Sequence, residues 1–357
     1  MNFASDNSSG IAPAILEAIQ AANTGNALGY GNDALTKRVE ARFNALFEKE
    51  VATFLVPTGT AANALAIAHV SPNWGAVFCH EQAHIANDEA GAPEFFGGGL
   101  KLIGIEGDAC KLTPTTFKES LAARSWRIPH SVIPAVLSLS QATEGGTVYS
   151  VDETATLAAL AHEHTMAVHM DGARFANAIA HLHVSAAEAT WKAGVDVLSF
   201  GATKAGALAA EAIVFFDPAE AAGFASRRKR GGQLISKHRF IAAQFDAFLQ
   251  DDLWFTLAGH ANRAAARLAD GLTKAGAAPV WPVEANELFV PLSPEADRQL
   301  AAAGASYYVW GARGVPETVR IPDGHALVRL VTSFDTTDAE VDTFVAIVAS
   351  AAQMPHA

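Results

Sequence analysis

Residues 166–204 read MAVHMDGARFANAIAHLHVSAAEATWKAGVDVLSFGATK. Two short apolar runs stand in this stretch, at 166–170 and 195–200, each the length of a buried strand. The Ala-rich segment between them, 186–193, predicts a helix. Short apolar strands separated by a helix point to an α/β fold whose sheet is mostly parallel and covered on both faces. Each run also leads into a residue able to do chemistry, Asp171 after the first and Lys204 after the second.

The same alternation extends outward. Leu35, Val39, Phe43 and Leu46 carry helical spacing through 33–48, and a strand-like run follows at 51–56. A small-residue helix is expected over 60–70, strands near 76–79 and 132–139, and a helix over 152–164. From about residue 241 the pattern changes to a long Ala-rich helix through 272, then strands near Leu288, Tyr307 and Val328 and a closing helix over 338–352. No period of 20 to 50 residues recurs, which sets aside solenoids and propellers. The expected division is an N-terminal arm and large domain over 1–245 and a small α+β domain over 246–357. A chain of 357 residues exceeds the roughly 250 to 300 at which single cores stop growing, which agrees with two units.

Half the residues are hydrophobic and 17% are charged, the balance of a compact enzyme. A net charge of −12 disfavours nucleic acid and anionic membrane as partners, since both need a concentrated basic surface. The opening residues lack a secretory signal and no run reaches the ~20 apolar residues of a membrane span, so a soluble cytoplasmic protein is expected. Cys79 and Cys110 show no CxxC spacing and read as reduced thiols, with no metal site implied.

Three segments carry chemistry. Pro57-Thr58-Gly59-Thr60-Ala61-Ala62-Asn63 joins a strand to a helix, where backbone N–H groups and the Thr60 hydroxyl could hold a phosphate; a plain capped turn is the alternative. Asp171 at a strand end would need a cationic partner such as a protonated pyridine nitrogen, or else an ion pair with Arg174. Lys204, among Gly201, Ala202, Ala205 and Gly206, is the candidate Schiff-base amine with room for a flat cofactor, against the alternative of a solvated lysine.

Phosphate loop, acid and lysine, in that order at successive strand ends, resemble the fold-type I pyridoxal-phosphate enzymes. More narrowly, FASDNSSGIAP at 3–13, ALGYGNDALT at 27–36, TGTAANALA, HEQAHIANDEAGAPEF at 80–95, KLTP at 111, HMDGARFANA and TWKAGVDVLSFGATKAG resemble the low-specificity L-threonine aldolase and phenylserine aldolase family. The likeness covers most of the first 240 residues and thins afterwards to PVEANELFV and RLVTSFDT.

What the resemblance implies is a pyridoxal-phosphate lyase acting on a small β-hydroxy amino acid, assembled as a homodimer or homotetramer with shared active sites. Lys204 would form the internal aldimine, Asp171 would meet the pyridine nitrogen, and Gly59 and Thr60 would bind the phosphate. His84 would stack on the ring and stand near the substrate β-hydroxyl. Arg329 would clamp the substrate carboxylate, with Arg174 as second candidate for that task and as a cofactor neighbour. Ser5 and Tyr30 would complete the pocket, Tyr30 from a neighbouring subunit. Glu144 is a departure, standing where other threonine aldolases carry a histidine; it is either a general base or an orienting partner of His84.

Other pyridoxal-phosphate activities remain as rivals: an aminotransferase, a β-eliminating lyase or a hydroxymethyltransferase. A cofactor-binding protein without turnover is a rival of another class. The run Arg227-Arg228-Lys229-Arg230 reads as a solvated helix face rather than a nucleic-acid patch, with Arg230 or Lys237 as alternatives reaching a phosphate across a subunit interface. His162, His164, His181 and His183 read as solvated too.

Overall fold

A computed structural model describes residues 1–312 and 314–353. Its main sheet contains β1 (Ala52–Val56), β2 (Gly75–His80), β3 (Lys101–Ile105), β4 (Ile133–Ser140), β5 (Ala167–Gly172), β6 (Val197–Gly201) and β7 (Glu211–Phe215), in the order β1-β7-β6-β5-β4-β2-β3. The pairs β2/β3, β2/β4, β4/β5 and β5/β6 are parallel, whereas β7 runs antiparallel to both β6 and β1. The expected mostly parallel α/β sheet is therefore present. Strands β2, β6 and β7 are buried at every position, because helices cover both faces and the apolar side chains need not alternate.

A second, antiparallel sheet holds β8 (Glu287–Leu292), β9 (Tyr308–Val309) and β10 (Ala326–Val331) in the order β8-β10-β9. Helices Leu253–Lys274, Pro294–Ala302 and Asp338–Ala352 supply Leu268, Leu272, Leu300, Val341 and Phe344 to its core. Phe3 enters this same core, with its N–H donating to the Ser306 carbonyl and its carbonyl accepting from Val331. The chain's first residues are thus tied to the second sheet. No helix among the described residues is long and apolar enough to cross a membrane.

Two expected helices are corrected. Residues 186–193 form turns and a single 3₁₀ turn, Trp191–Ala193, while the helix of that crossover is Phe175–Leu182, which buries Phe175, Ala176, Ala178 and Ile179. Alanine content suggested the wrong segment, because the apolar spacing that faces the sheet lies earlier. The long helix beginning near 241 is two, Arg239–Leu249 and Leu253–Lys274, parted where Asp251 and Asp252 adopt left-handed φ of 50° and 54°. The closing helix occupies 338–352 as its pattern indicates.

Candidate active site

Ligands of open α/β sheets bind at the carboxyl ends of the strands, and here those ends surround a cavity of about 370 Å³. One wall is the start of helix Gly59–Val70, which follows β1. Thr58 caps it, its hydroxyl accepting from the Ala61 N–H at 3.2 Å and its carbonyl from the Ala62 N–H at 3.1 Å, so the Gly59 and Thr60 amides are left without a partner among the described residues, and both residues line the cavity. A Cβ added at Gly59 would meet nothing within 4 Å, so this approach is open to a ligand. Free N–H groups at a helix start, together with the helix dipole, make an anion seat.

Asp171, near the end of β5, is buried, and both its oxygens accept: Oδ1 from the Ala173 N–H at 3.0 Å and Oδ2 from Asn63 Nδ2 at 2.8 Å. No cation pairs with it among the described residues. The alternative Asp171–Arg174 ion pair is absent, because Arg174 is engaged elsewhere. Its Nε and Nη2 donate to Asp6 at 2.7 and 3.0 Å, and its Nη1 lies 3.1 Å from Glu287. Burial works against the Arg174 charge, but Asp6 and Glu287 outweigh it and hold the guanidinium ionised. Lys204 lies just past β6 in the short turn Thr203–Ala205, and among the described residues no hydrogen bond or ion pair holds its amine. Beside it Glu211, the first residue of β7, is pushed up to about 7 by burial, against the opposing pull of Thr203 and Lys204.

On the far wall His84 opens the short helix His84–Asn87, and its Nδ1 donates to Glu89 Oε1 at 2.8 Å. This hydrogen bond raises the histidine's proton affinity above normal, with burial opposing. Asn63 Nδ2 donates to that same Glu89 oxygen at 2.8 Å as well as to Asp171, bridging the two acids. Although His84, Glu89 and Asp171 offer atoms within 4.8 Å of one another, those atoms are already joined by hydrogen bonds. Glu144 Oε1 accepts from the His84 backbone N–H at 2.9 Å and from Ser140 Oγ at 2.6 Å. Glu89 and not Glu144 therefore orients the imidazole. Burial raises the Glu144 carboxyl above its ordinary range, with Asp171's charge adding to the effect.

Gly59, Thr60, His84, Glu144, Asp171, Arg174 and Lys204 all line the cavity, whereas Ser5, Tyr30 and Arg329 do not. Ser5 turns its hydroxyl to cap the Asn7 N–H at 3.1 Å, and Asn7 faces the cavity instead. Tyr30 is half exposed at φ 60°, with the Lys229 amine 4.7 Å over its ring. Arg329, on β10, stacks on Trp310 at 4.8 Å, donates to the Ala4 carbonyl at 3.3 Å and approaches Glu287 at 3.6 Å. Glu287 thus stands between Arg329 and Arg174. The solvated reading of the basic run fails at Arg228, which is buried, donates to the Leu55 carbonyl at 3.1 Å and stacks on Phe54. Of the surface histidines, His162 pairs with Asp196 at 2.9 Å. Asn7, Asn63, Glu89, Ser140 and Glu211 were missed; Asn7, Asn63 and Glu89 lie inside segments already singled out, but only the fold shows what they touch.

The β-eliminating lyase family model matches residues 2–294. The low specificity L-threonine aldolase of Pseudomonas aeruginosa is 45% identical over 313 residues, 87% of this chain and 90% of that protein. The low specificity L-threonine aldolase of a Pseudomonas sp. is 41% identical over 340 residues, 95% of this chain and 94% of that one. Leishmania major threonine aldolase superposes with a TM-score of 0.90 at 28% identity, covering 98% of this chain and 99% of its own. Sphingomonas wittichii serine palmitoyltransferase, at 16% identity and a TM-score of 0.70 over 98% of this chain and 86% of its own, shares the fold.

Proposed function

The chain belongs to the β-eliminating lyase family, and within it to the low specificity L-threonine aldolases; from that premise we propose a pyridoxal-phosphate enzyme that cleaves L-β-hydroxy-α-amino acids to glycine and an aldehyde. L-Threonine, L-allo-threonine and L-phenylserine are the substrates we assign to it. One observation carries the reading: a buried carboxylate, Asp171, and an amine, Lys204, neither with an ionic partner among the described residues, stand on neighbouring strand ends opposite an open helix N-terminus.

These groups fit the cofactor. The N–H groups after Thr58 and the Thr60 hydroxyl would hold its phosphate, Asp171 its ring nitrogen, and Lys204 its aldehyde carbon. When bound, it supplies the electron sink that accepts the pair released at Cα. The protein's own share is positional. Arg174, the one guanidinium among the described lining residues, takes the substrate carboxylate, with Arg329 behind it through Glu287. That grip aligns the Cα–Cβ bond for breakage. His84, held by Glu89, and Glu144 face the β-hydroxyl, whose proton must leave as the aldehyde forms.

We further place the division of the chain at 1–245 and 246–357, the enzyme in the cytoplasm, where buried unpaired cysteines stay reduced, and its assembly as a homodimer or homotetramer in which Tyr30 serves a neighbour's site. Borohydride treatment followed by peptide mapping is expected to fix the cofactor on Lys204, and Lys204→Ala is expected to lose aldehyde release at least ~1,000-fold. A Lys204→Ala protein that works at the unmodified rate, or a native protein giving ammonia and a keto acid from L-threonine without glycine, refutes the reading.

A further inference from the structure

We infer that Glu144 takes the proton from the substrate β-hydroxyl, an assignment that rests on the aldolase reading above. Among the described carboxylates that line the cavity, Glu144 alone keeps a buried oxygen, Oε2, with no hydrogen-bond partner. Both Asp171 oxygens accept from the protein, and neither Glu211 oxygen is a buried atom left without a partner. Oε1 of Glu144 is saturated by two donors, Ser140 Oγ and the His84 N–H, so the carboxylate plane is fixed while Oε2 is left with its lone pairs. A buried acceptor without a donor is costly unless a ligand supplies one, and a substrate hydroxyl is such a donor.

His84 is less suited to that task. Its Nδ1 is committed to Glu89, which favours the charged imidazolium, and an imidazolium has no lone pair at Nε2. It serves better as a donor to the oxygen on which charge develops. Glu144, ionised, accepts the hydroxyl proton on Oε2; the oxygen's electrons close the carbonyl, the Cα–Cβ bond breaks and its pair remains on Cα. Glycine formation later consumes one proton at Cα, so protons balance over the turnover. The groups coupled electrostatically to Glu144 set its working range: Asp171 of β5 adds negative charge, Arg174 supplies the opposing positive charge, and Cys79 of β2, Cys110 and Tyr149 feel the charge of Glu144. A carboxyl raised by burial is a stronger base at neutral pH than an ordinary glutamate.

Glu144→Gln keeps the shape and the Oε1 acceptor but cannot take the proton. With L-threonine, kcat is expected to fall about 100-fold or more while KM stays within about threefold, and the acid limb of the pH profile of kcat/KM is expected to disappear. Glu144→Asp is expected to restore part of the rate. Exchange of the glycine α-hydrogen in D₂O, which needs the cofactor site but no β-hydroxyl base, is expected to persist within about threefold of the unmodified enzyme. Aldehyde release by Glu144→Gln within fivefold of the unmodified rate overturns the assignment, as does loss of glycine exchange in parallel with cleavage, since Glu144 would then only support the site. A native protein that exchanges glycine but releases no aldehyde overturns the aldolase reading, and the assignment with it.

Discussion

At the scale of single residues, the site is a set of pairings made across the fold. Asn63 spends one amide hydrogen on Glu89 and the other on Asp171, so the acid assigned to the cofactor nitrogen and the acid behind His84 share one donor. Glu89→Gln removes the carboxylate whose hydrogen bond raises the His84 imidazole above its ordinary range. The midpoint of the His84 imidazole, followed by NMR, is expected to fall, and cleavage to slow by roughly 10- to 100-fold. An unmoved midpoint would mean that the hydrogen bond does not govern the ring. Lys204, Asp171 and the 57–63 loop were legible in the sequence because each is a local event, a strand end followed by small residues. Asn63 was not, since its partners lie 26 and 108 positions away and no local pattern reports such pairs; Glu89 is only five residues from His84, but that spacing matches neither face of a regular helix or strand. Arg329 and Tyr30 were nameable only through family resemblance, and the structure keeps both off the cavity wall of their own chain.

At the scale of elements, β7 is the strand the sequence least betrays, for an antiparallel strand inside a parallel set carries the same unbroken apolar run as its neighbours. Its position brings Glu211 beside Gly201, where an added Cβ would lie 2.8 Å from Ala173 backbone and 3.0 Å from the Glu211 carboxylate. A bare backbone at 201 is what lets the acid and the lysine turn share one strand end. Burial raises this carboxyl from 4.5 to about 7, so the folded cofactor-free protein binds its proton more tightly than the unfolded chain does. The stability this gives is complete below about 4.5, declines as pH rises, and is gone above about 7, a difference of about 3 kcal/mol. Glu211→Gln is therefore expected to leave the melting temperature of the cofactor-free protein nearly unchanged at pH 5 and to raise it by several degrees at pH 8. Equal melting temperatures at both pH values would refute the coupling. Caps alone did not make the helices legible. Asp338–Ala352 begins after a Thr337 capping box and was placed to the residue, whereas 186–193 also opens on a reciprocal cap, Ser185 with Glu188, and buries Ala186, Ala187 and Ala189, yet forms only turns and one 3₁₀ turn.

At the scale of the whole molecule, Tyr30, which we propose serves a neighbour's site, stands off the cavity of its own chain. Tyr30 lies in a loop held by its N–H donating to the Ser236 carbonyl and by Gly31 at φ 84°, close to His238. The loop is fixed, yet its tyrosine is half exposed and away from the cavity of its own chain. A large aromatic side chain presented by a well-anchored loop is an economical way to complete a neighbouring cavity. Exposed Leu28 in the same loop enlarges that apolar face. If Tyr30 reaches across a two-fold interface, Lys204→Ala and Tyr30→Ala subunits should each be defective alone and complement when mixed. In a random mixture half the dimers are hybrids, and each hybrid has one site with native Lys204 from one chain and native Tyr30 from the other. The second site carries both defects. Denaturing the two proteins together, refolding with cofactor and assaying aldehyde release is expected to recover about a quarter of native activity. If Tyr30 acts within its own chain, no arrangement of the two subunits creates an intact site, and the mixture stays at the mean of its inactive parents.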